Sequence, residues 1–201
     1  LAAERLKRRY KTEIKTDQET FLLCTDTIIR QVKDIGKMVD EFSTFARMPQ
    51  PKLIEMNLLD LCEQSLFLEQ NRFPNIDYIF KNKTKNARLL ADREQISRAL
   101  TNVLKNASES INLLKNKETK GRIFMHLIED KDVFIINISD NGTGFPKHLL
   151  DRVIEPYITT REKGTGLGLS IVTKIMEDHN GELQLDNNID GGASIQLIFK
   201  K

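Results

Sequence analysis

The sequence is poor in several things, and each shortage excludes a class of protein. Two cysteines in 201 residues, Cys24 and Cys62, have no CxxC spacing and are too few for a disulfide framework. They read as reduced, partly buried thiols in a cytosolic setting. Three histidines, His126, His148 and His179, are scattered and make no metal-ligand pattern. Charge of one sign is lacking too: the net charge is +2, too balanced for a dedicated nucleic-acid binder. No apolar run approaches about 18 residues, so nothing in this stretch spans a bilayer. There is no internal repeat and no low-complexity segment. The chain opens at Leu1 without Met or an apolar leader and reads as a piece of something longer. What is present, 30% charged and 39% hydrophobic residues, describes a soluble globular chain. Its length suits a small domain followed by one of about 150 residues.

The division falls at Met48-Pro49-Gln50-Pro51. Each proline biases its predecessor away from helix, so a helix is expected to end near Arg47 and 49–52 to act as a hinge. Residues 18–47 contain no proline and one glycine. Phe21, Thr25, Ile28, Val32, Ile35, Val39, Phe42 and Ala46 follow one another at steps of four and three, a heptad seam. Only the short basic segment 1–15 is available to cover it in the same chain. The expectation is a helical hairpin over 1–48, completed by a second copy into a four-helix bundle.

After the hinge the pattern is mixed. Asn57 can cap a helix over 58–72, and 76–81 alternates like a strand. Asp92 with Gln95 three residues on resembles a capping box opening a helix to about Lys115. Two β-rich runs, 122–128 and 133–139, flank the turn 129–132. A helix over 167–179 stops at Gly181, and strands over 182–186 and 193–200 flank Asp190-Gly191-Gly192. The expected class is α+β: a mixed β-sheet with helices on one face, a two-layer sandwich.

Four segments carry candidate chemistry. Asn102 and Asn106 are four apart on one helix and share a face, and an amide oxygen is a suitable hard ligand for Mg2+. Asp140-Asn141-Gly142-Thr143-Gly144-Phe145 follows a strand; a carboxylate there can accept from an exocyclic amine, and the glycines allow a sharp turn against a ligand. The third segment is Ile154-Glu155-Pro156-Tyr157-Ile158-Thr159-Thr160-Arg161. The fourth, Gly164-Thr165-Gly166-Leu167-Gly168-Leu169, runs into a helix whose first N–H groups can face an anion. It is neither a Walker A loop nor a Rossmann fingerprint.

In this order the four resemble the N, G1, F and G2 boxes of the histidine-kinase catalytic domain, in the wider ATPase family of gyrase B, Hsp90 and MutL. The resemblance covers 53–201 and implies the Bergerat ATP-binding fold, with ATP and Mg2+ as cofactors. It implies that Asp140 reads the adenine amino group, with Gly142 and Gly144 lining the base. Asn106 then ligates Mg2+ and Asn102 stands one turn before it. Gly164, Gly166 and Gly168, with Thr160, Thr165 and Leu167, hold the phosphates, and 145–165 form an ATP lid. Arg161 stands where the family often carries Lys and can steady the γ-phosphate. Asn102 stands where gyrase, Hsp90 and MutL carry a water-activating Glu. An asparagine cannot take that proton, which favours phosphoryl transfer over hydrolysis.

The family's acceptor box, a His followed by Glu or Asp and then Pro, is missing. Residues 1–10, 26–32 and 38–49 resemble the helices that follow that box in nitrogen-regulation sensor kinases of the NtrY type. That resemblance implies a homodimer through residues 1–48, a membrane-anchored parent with this cytoplasmic end, and a response-regulator receiver domain as partner. The expected function is Mg-ATP γ-phosphoryl transfer to a histidine absent from this chain, then to a regulator aspartate, with no direct role for nucleic acid. The alternatives are a nucleotide-dependent dimerisation module without transfer chemistry, and an anti-sigma-type Ser/Thr kinase.

Overall fold

The computed structural model describes residues 1–84, 86–114, 120–161 and 164–201. It divides into two compact units. The first comprises residues 1–48 with the described residues of 161–165, and the second comprises 49–160 and 166–201.

In the first unit, helix α1 (Ala2–Tyr10) packs along helix α2 (Gln18–Ala46). Lys7 pairs with Asp26 at 2.5 Å and Lys33 with Glu4 at 3.7 Å. Ile28, Val32, Ile35, Val39 and Phe42, the middle of the heptad seam, stand exposed. Most helical stability comes from burying an amphipathic face, and this part of the stripe on the 29-residue helix stays exposed.

The second unit begins with strand β1 (Ile54–Asn57), helix α3 (Leu58–Arg72), strands β2 (Asp77–Asn82) and β3 (Arg88–Ala91), and helix α4 (Arg93–Asn112). Strands β4 (Arg122–Asp130) and β5 (Val133–Asp140), helix α5 (Gly168–Asp178), and strands β6 (Glu182–Asn187) and β7 (Ala193–Lys200) follow. The main sheet runs β2-β4-β5-β7-β6; β2 lies parallel to β4 and the remaining pairs are antiparallel. Alternation sets its two faces. Ile123, Met125 and Leu127 of β4, Phe134, Ile136 and Ile138 of β5, and Ile195, Leu197 and Phe199 of β7 point into the core. That core is closed by Leu58, Leu61 and Cys62 of α3, Ile96, Leu100, Val103 and Leu104 of α4, and Ile171, Val172 and Ile175 of α5. The other face carries Phe124, His126, Asn137, Ser139, Ser194 and Gln196, and no described helix covers it. This is the expected mixed sheet with helices on one side.

The helix starts follow the sequence, with one correction. Asn57 caps α3 by accepting from the Leu59 N–H at 3.1 Å. Asp92 caps α4, accepting from the Glu94 and Gln95 N–H groups at 3.0 and 3.1 Å. The capping box does not close: the Asp92 N–H that the Gln95 side-chain oxygen would accept from donates to His179 Nε2 at 2.9 Å, and Gln95 Nε2 donates to the Pro49 carbonyl at 2.9 Å. Asp92 also accepts from the Lys52 N–H at 2.8 Å, so one carboxylate ties the post-proline segment to the start of α4. Burial alone would raise this carboxyl; the three backbone donors and the nearby His179 outweigh it and hold it below the ordinary range. Helix α4 ends at Asn112, short of the expected Lys115, which lies outside the described residues. Strands β1 and β3, which the sequence pattern did not announce, form a separate antiparallel pair.

A buried polar cluster joins α3, β2 and α4. Tyr78 Oη lies 3.0 Å from Ser108 Oγ, which donates to the Leu104 carbonyl at 2.9 Å. Glu69 is buried beside them, and neither its Oε1 nor Ser65 Oγ has a hydrogen-bond partner among the described residues. Burial pushes the Glu69 carboxyl up, against the pull of Arg72 and Ser108. The folded state thus holds this proton more tightly than the unfolded chain. The group's contribution to stability is greatest below the ordinary carboxyl range and falls as pH rises through the folded value. Glu69→Gln is expected to raise the melting temperature near neutral pH and to change little at about pH 4. Melting temperature against pH for both chains checks this; parallel curves would contradict it. Burial also pushes the Cys62 thiol up to about 12, which keeps it unreactive, whereas Cys24 is exposed.

Candidate functional site

The site residues are assembled by α4. Asn102, Asn106 and Ser110 recur every four residues and so make one polar stripe on that helix. From Asn102 to Ser110 the stripe runs about 12 Å at 1.5 Å per residue. The residues between them that face the core, Val103, Leu104 and Ala107, fix the helix on the sheet.

At the Ser110 end lies the glycine loop leaving β5. Asp140, the last residue of that strand, is 7% exposed, and its Oδ1 accepts from the Gly142 N–H at 2.8 Å. Ser110 Oγ accepts from the Thr143 N–H at 3.0 Å and lies 3.1 Å from Thr143 Oγ1. Gly142 passes so close to α4 that a Cβ there would lie 2.4 Å from Ser110 Oγ and 2.8 Å from the Ile111 nitrogen. No larger residue permits that approach. Asn141 stitches the loop sideways, accepting from the Arg122 N–H at 2.7 Å and donating to the Lys120 carbonyl at 3.0 Å. Gly144 adopts a φ of +67°.

At the Asn102 end lies the N-terminus of α5. A Cβ built on Gly168, the first residue of that helix, would lie 3.4 Å from Asn102 Oδ1 and 3.6 Å from Asn106 Nδ2. Asn102 Nδ2 donates to the Arg98 carbonyl at 3.0 Å, which turns its oxygen outward toward Gly168. Leu167 is fully buried, and its carbonyl accepts from the Ile171 N–H and the Ser170 hydroxyl, both at 2.9 Å. Gly166 takes a φ of +70°, and a Cβ on it would lie 2.6 Å from the Tyr157 carbonyl carbon. The first N–H groups of α5, which have no acceptor within their own helix, and its dipole thus sit beside two neutral amides, an arrangement that attracts phosphate.

Asn102, Asn106, Asp140, Gly142, Gly144, Gly166, Leu167 and Gly168 therefore share the second unit. Thr160 is exposed at the edge of that unit's first stretch. Arg161, Gly164 and Thr165 fall with the first unit, where Thr165 Oγ1 donates to the Glu41 carboxylate of α2. The expected lid stretch contains a short 3-10 turn, Lys147–Arg152, and Tyr157 holds a φ of +68°. Ser110 escaped the sequence reading, while Asn141 and Thr143 were read only as members of the glycine segment, without roles of their own. Ser110 left a signal, since it prolongs the four-residue spacing of the two asparagines.

The histidines do not join the site. His179 Nε2 accepts from the Asp92 N–H at 2.9 Å, and its Nδ1 lies 2.7 Å from the Ile175 carbonyl, so both ring nitrogens are engaged. His126 sits in β4 opposite Asn137, and His148 lies in the 3-10 turn. A groove of about 620 Å3 opens on the other face of the sheet, lined in part by Arg122, Phe124, Ser139, Asp186 and Gln196. It lacks the asparagine stripe and the start of α5. No helix among the described residues is long and apolar enough to cross a membrane.

Comparison with known proteins bears on this arrangement. The family described as histidine kinase-, DNA gyrase B-, and HSP90-like ATPase matches residues 91–201, more than half of the chain. The chain is 46% identical over 203 residues to the nitrogen regulation protein NtrY of Azorhizobium caulinodans, covering 100% of this chain and 26% of that protein. It is 38% identical to a putative sensor histidine kinase NtrY-like of Rickettsia typhi, covering 99% of this chain and 32% of that protein. The chain thus spans about a quarter to a third of the length of these relatives. Among solved structures, the catalytic domain of histidine kinase ThkA superposes with a TM-score of 0.66 at 29% identity, over 75% of this chain and 98% of that one. ThkA in complex with the response regulator protein TrrA gives a TM-score of 0.75 at 22% identity, over 100% of this chain and 57% of that one, a likeness of fold.

Proposed function

Because the chain belongs to the family of histidine kinase-, DNA gyrase B- and HSP90-like ATPases, we propose that it is the ATP-binding core of a sensor histidine kinase of the nitrogen-regulation type. The observation that carries this reading is the stripe Asn102-Asn106-Ser110, which joins a carboxylate-bearing glycine loop to a helix N-terminus.

On this reading Asp140 accepts from the adenine amino group. Gly142 and Gly144 leave room for the base. Gly166, Leu167 and Gly168 present backbone N–H groups to the phosphates, while Thr160, Arg161, Gly164 and Thr165 belong to a lid that supplies the remaining contacts. The amide oxygen of Asn106 would hold Mg2+, with Asn102 beside it; the neutral, oxygen-bearing pair suits a hard cation that keeps most of its waters. When bound, Mg2+ offsets phosphate charge during phosphoryl transfer. The chain's own residues contribute position: the asparagine stripe of α4 and the start of α5 would hold the phosphates in place for transfer. Neither amide can accept a proton from water, so the site favours transfer to an external acceptor over hydrolysis.

The acceptor is a histidine outside this sequence, on the helical segment of the parent sensor, and residues 1–48 form the dimerising hairpin. The exposed seam from Ile28 to Phe42 supports that assembly. ThkA is solved with a response regulator, and a receiver domain is the expected next acceptor here. The parent is a membrane-anchored sensor with this portion on the cytoplasmic side.

The test is label transfer. The chain is incubated with Mg2+ and γ-labelled ATP, alone and with an acceptor-bearing helical hairpin from a related kinase. The expected result is an acid-labile label on the hairpin and none on this chain. Label on this chain's serine or threonine residues would select the Ser/Thr-kinase reading. Steady release of phosphate without transfer would contradict the reading altogether.

A further inference from the structure

We propose that Asn187 and Asn188, at the tip of the β6–β7 hairpin, are positioning residues that set the base selectivity of the nucleotide site by clamping both ends of the loop that carries Asp140. The proposal rests on the nucleotide reading above.

A loop with two glycines in six residues is soft by itself, because glycine restricts the backbone least. Reading one amine requires a carboxylate fixed to within a fraction of an ångström. The rigidity comes from outside the loop. Asn188 Nδ2 donates to the Asp140 carbonyl at 2.9 Å and to the Ala193 carbonyl at 3.0 Å. Asn187 Nδ2 donates to the Phe145 carbonyl at 2.8 Å, and its Oδ1 accepts from the Phe145 N–H at 2.7 Å. One primary amide thus satisfies both backbone groups of Phe145, as a neighbouring strand would. Asn and Gln carry a donor and an acceptor on one planar group, and Gln is a carbon longer. The hairpin is held in turn by the Asn188 N–H, which donates to the Gly192 carbonyl at 2.9 Å, and by the register that sets Asn187 opposite Ala193.

Two consequences separate this role from general support of the fold. Neither Asn187 bond to Phe145 is made to its own hairpin, so the hairpin does not need this side chain to form. The groups assigned to the phosphates lie elsewhere, on α4 and at the start of α5. Loosening the clamp therefore weakens base recognition and spares phosphate binding.

The experiment measures the affinity of the unaltered chain, Asn187→Ala and Asn187→Asp for non-hydrolysable analogues of ATP and GTP, with Mg2+. Amide hydrogen exchange at Phe145 and Gly142 is read in parallel. Losing the amide's hydrogen bonds is expected to lower the ATP-to-GTP affinity ratio by about tenfold while GTP affinity stays within about twofold. Exchange at Phe145 should speed up by at least about tenfold. Asn187→Asp keeps the acceptor for the Phe145 N–H but sets a carboxylate against its carbonyl, so it too should lose selectivity in a folded protein. An unchanged ratio in both variants, with the unaltered chain selective for ATP, overturns the proposal. ATP and GTP affinities falling together also overturns it, because that is the mark of a general structural role. If the unaltered chain binds neither nucleotide, the nucleotide reading fails and the proposal goes with it, a result distinct from the other two.

Discussion

Asp140→Asn is expected to abolish selective adenine-nucleotide binding while leaving the fold in place. The asparagine carbonyl can still accept from the Gly142 N–H that Asp140 Oδ1 now takes at 2.8 Å, so the loop keeps its first turn. Position 140 also keeps its place opposite Ile123 at the end of β5. What the substitution removes is charge, at a side chain only 7% exposed. A hydrogen bond to a buried carboxylate contributes about 1.5–3 kcal/mol, which corresponds to a loss of roughly ten- to more than a hundredfold in affinity. The variant's melting temperature should lie within a few degrees of the unaltered chain's. Calorimetric titration with an ATP analogue checks the binding. An affinity within twofold of the unaltered chain would mean that Asp140 does not read the base.

The largest effect on stability is expected from Gly192→Ala. Gly192 has a φ of +89°, and a Cβ there would lie 1.9 Å from the Asp140 carbonyl oxygen, 2.6 Å from its carbon and 2.9 Å from the Asn141 Cα. All three are backbone atoms at the end of a central strand and have no rotamer to escape into. The neighbouring Gly191 supplies an internal control. Its φ is +96°, but no atom would lie within 4 Å of its Cβ. Gly191→Ala therefore incurs only backbone strain, of order 1–2 kcal/mol. Gly192→Ala adds steric overlap to the same strain and should cost about 3 kcal/mol or more, a large share of a typical domain's stability. Denaturant midpoints for the two variants make the comparison. Equal midpoints would show that the hairpin does not press on the Asp140 backbone. The same contact explains why loss of Gly192 should damage the nucleotide site along with the sheet.

The parts of this fold that a reader can take from the sequence are those written locally. Asn57 announces the start of α3, and the alternation of β4, β5 and β7 marks both edges and inner face. The heptad seam of α2 was legible because its period persists over several turns. What was not legible depends on residues far apart in the chain. Strands β1 and β3 are four residues each and pair with one another across α3 and β2, and neither is long enough to establish a period. Gln95 carries the local signature of a capping box, but a tertiary acceptor, His179 Nε2, takes the Asp92 N–H that the box would use. Within the site, Asp140, the glycines and the asparagine pair were readable as motifs. Asn187 and Asn188 were not, since only the β5-β7-β6 register brings them beside the loop. The placement of Arg161, Gly164 and Thr165 with the first unit likewise has no local signature.

The most direct test of the account is titration of the unaltered chain with a non-hydrolysable ATP analogue, once with Mg2+ and once with excess chelator. The account predicts one nucleotide bound per chain, with affinity at least about tenfold weaker without the cation, as expected when an asparagine oxygen holds a metal shared with the phosphates. Absence of binding in both conditions, or equal binding in both, would contradict a site in which Asn106 serves Mg2+ beside the phosphates.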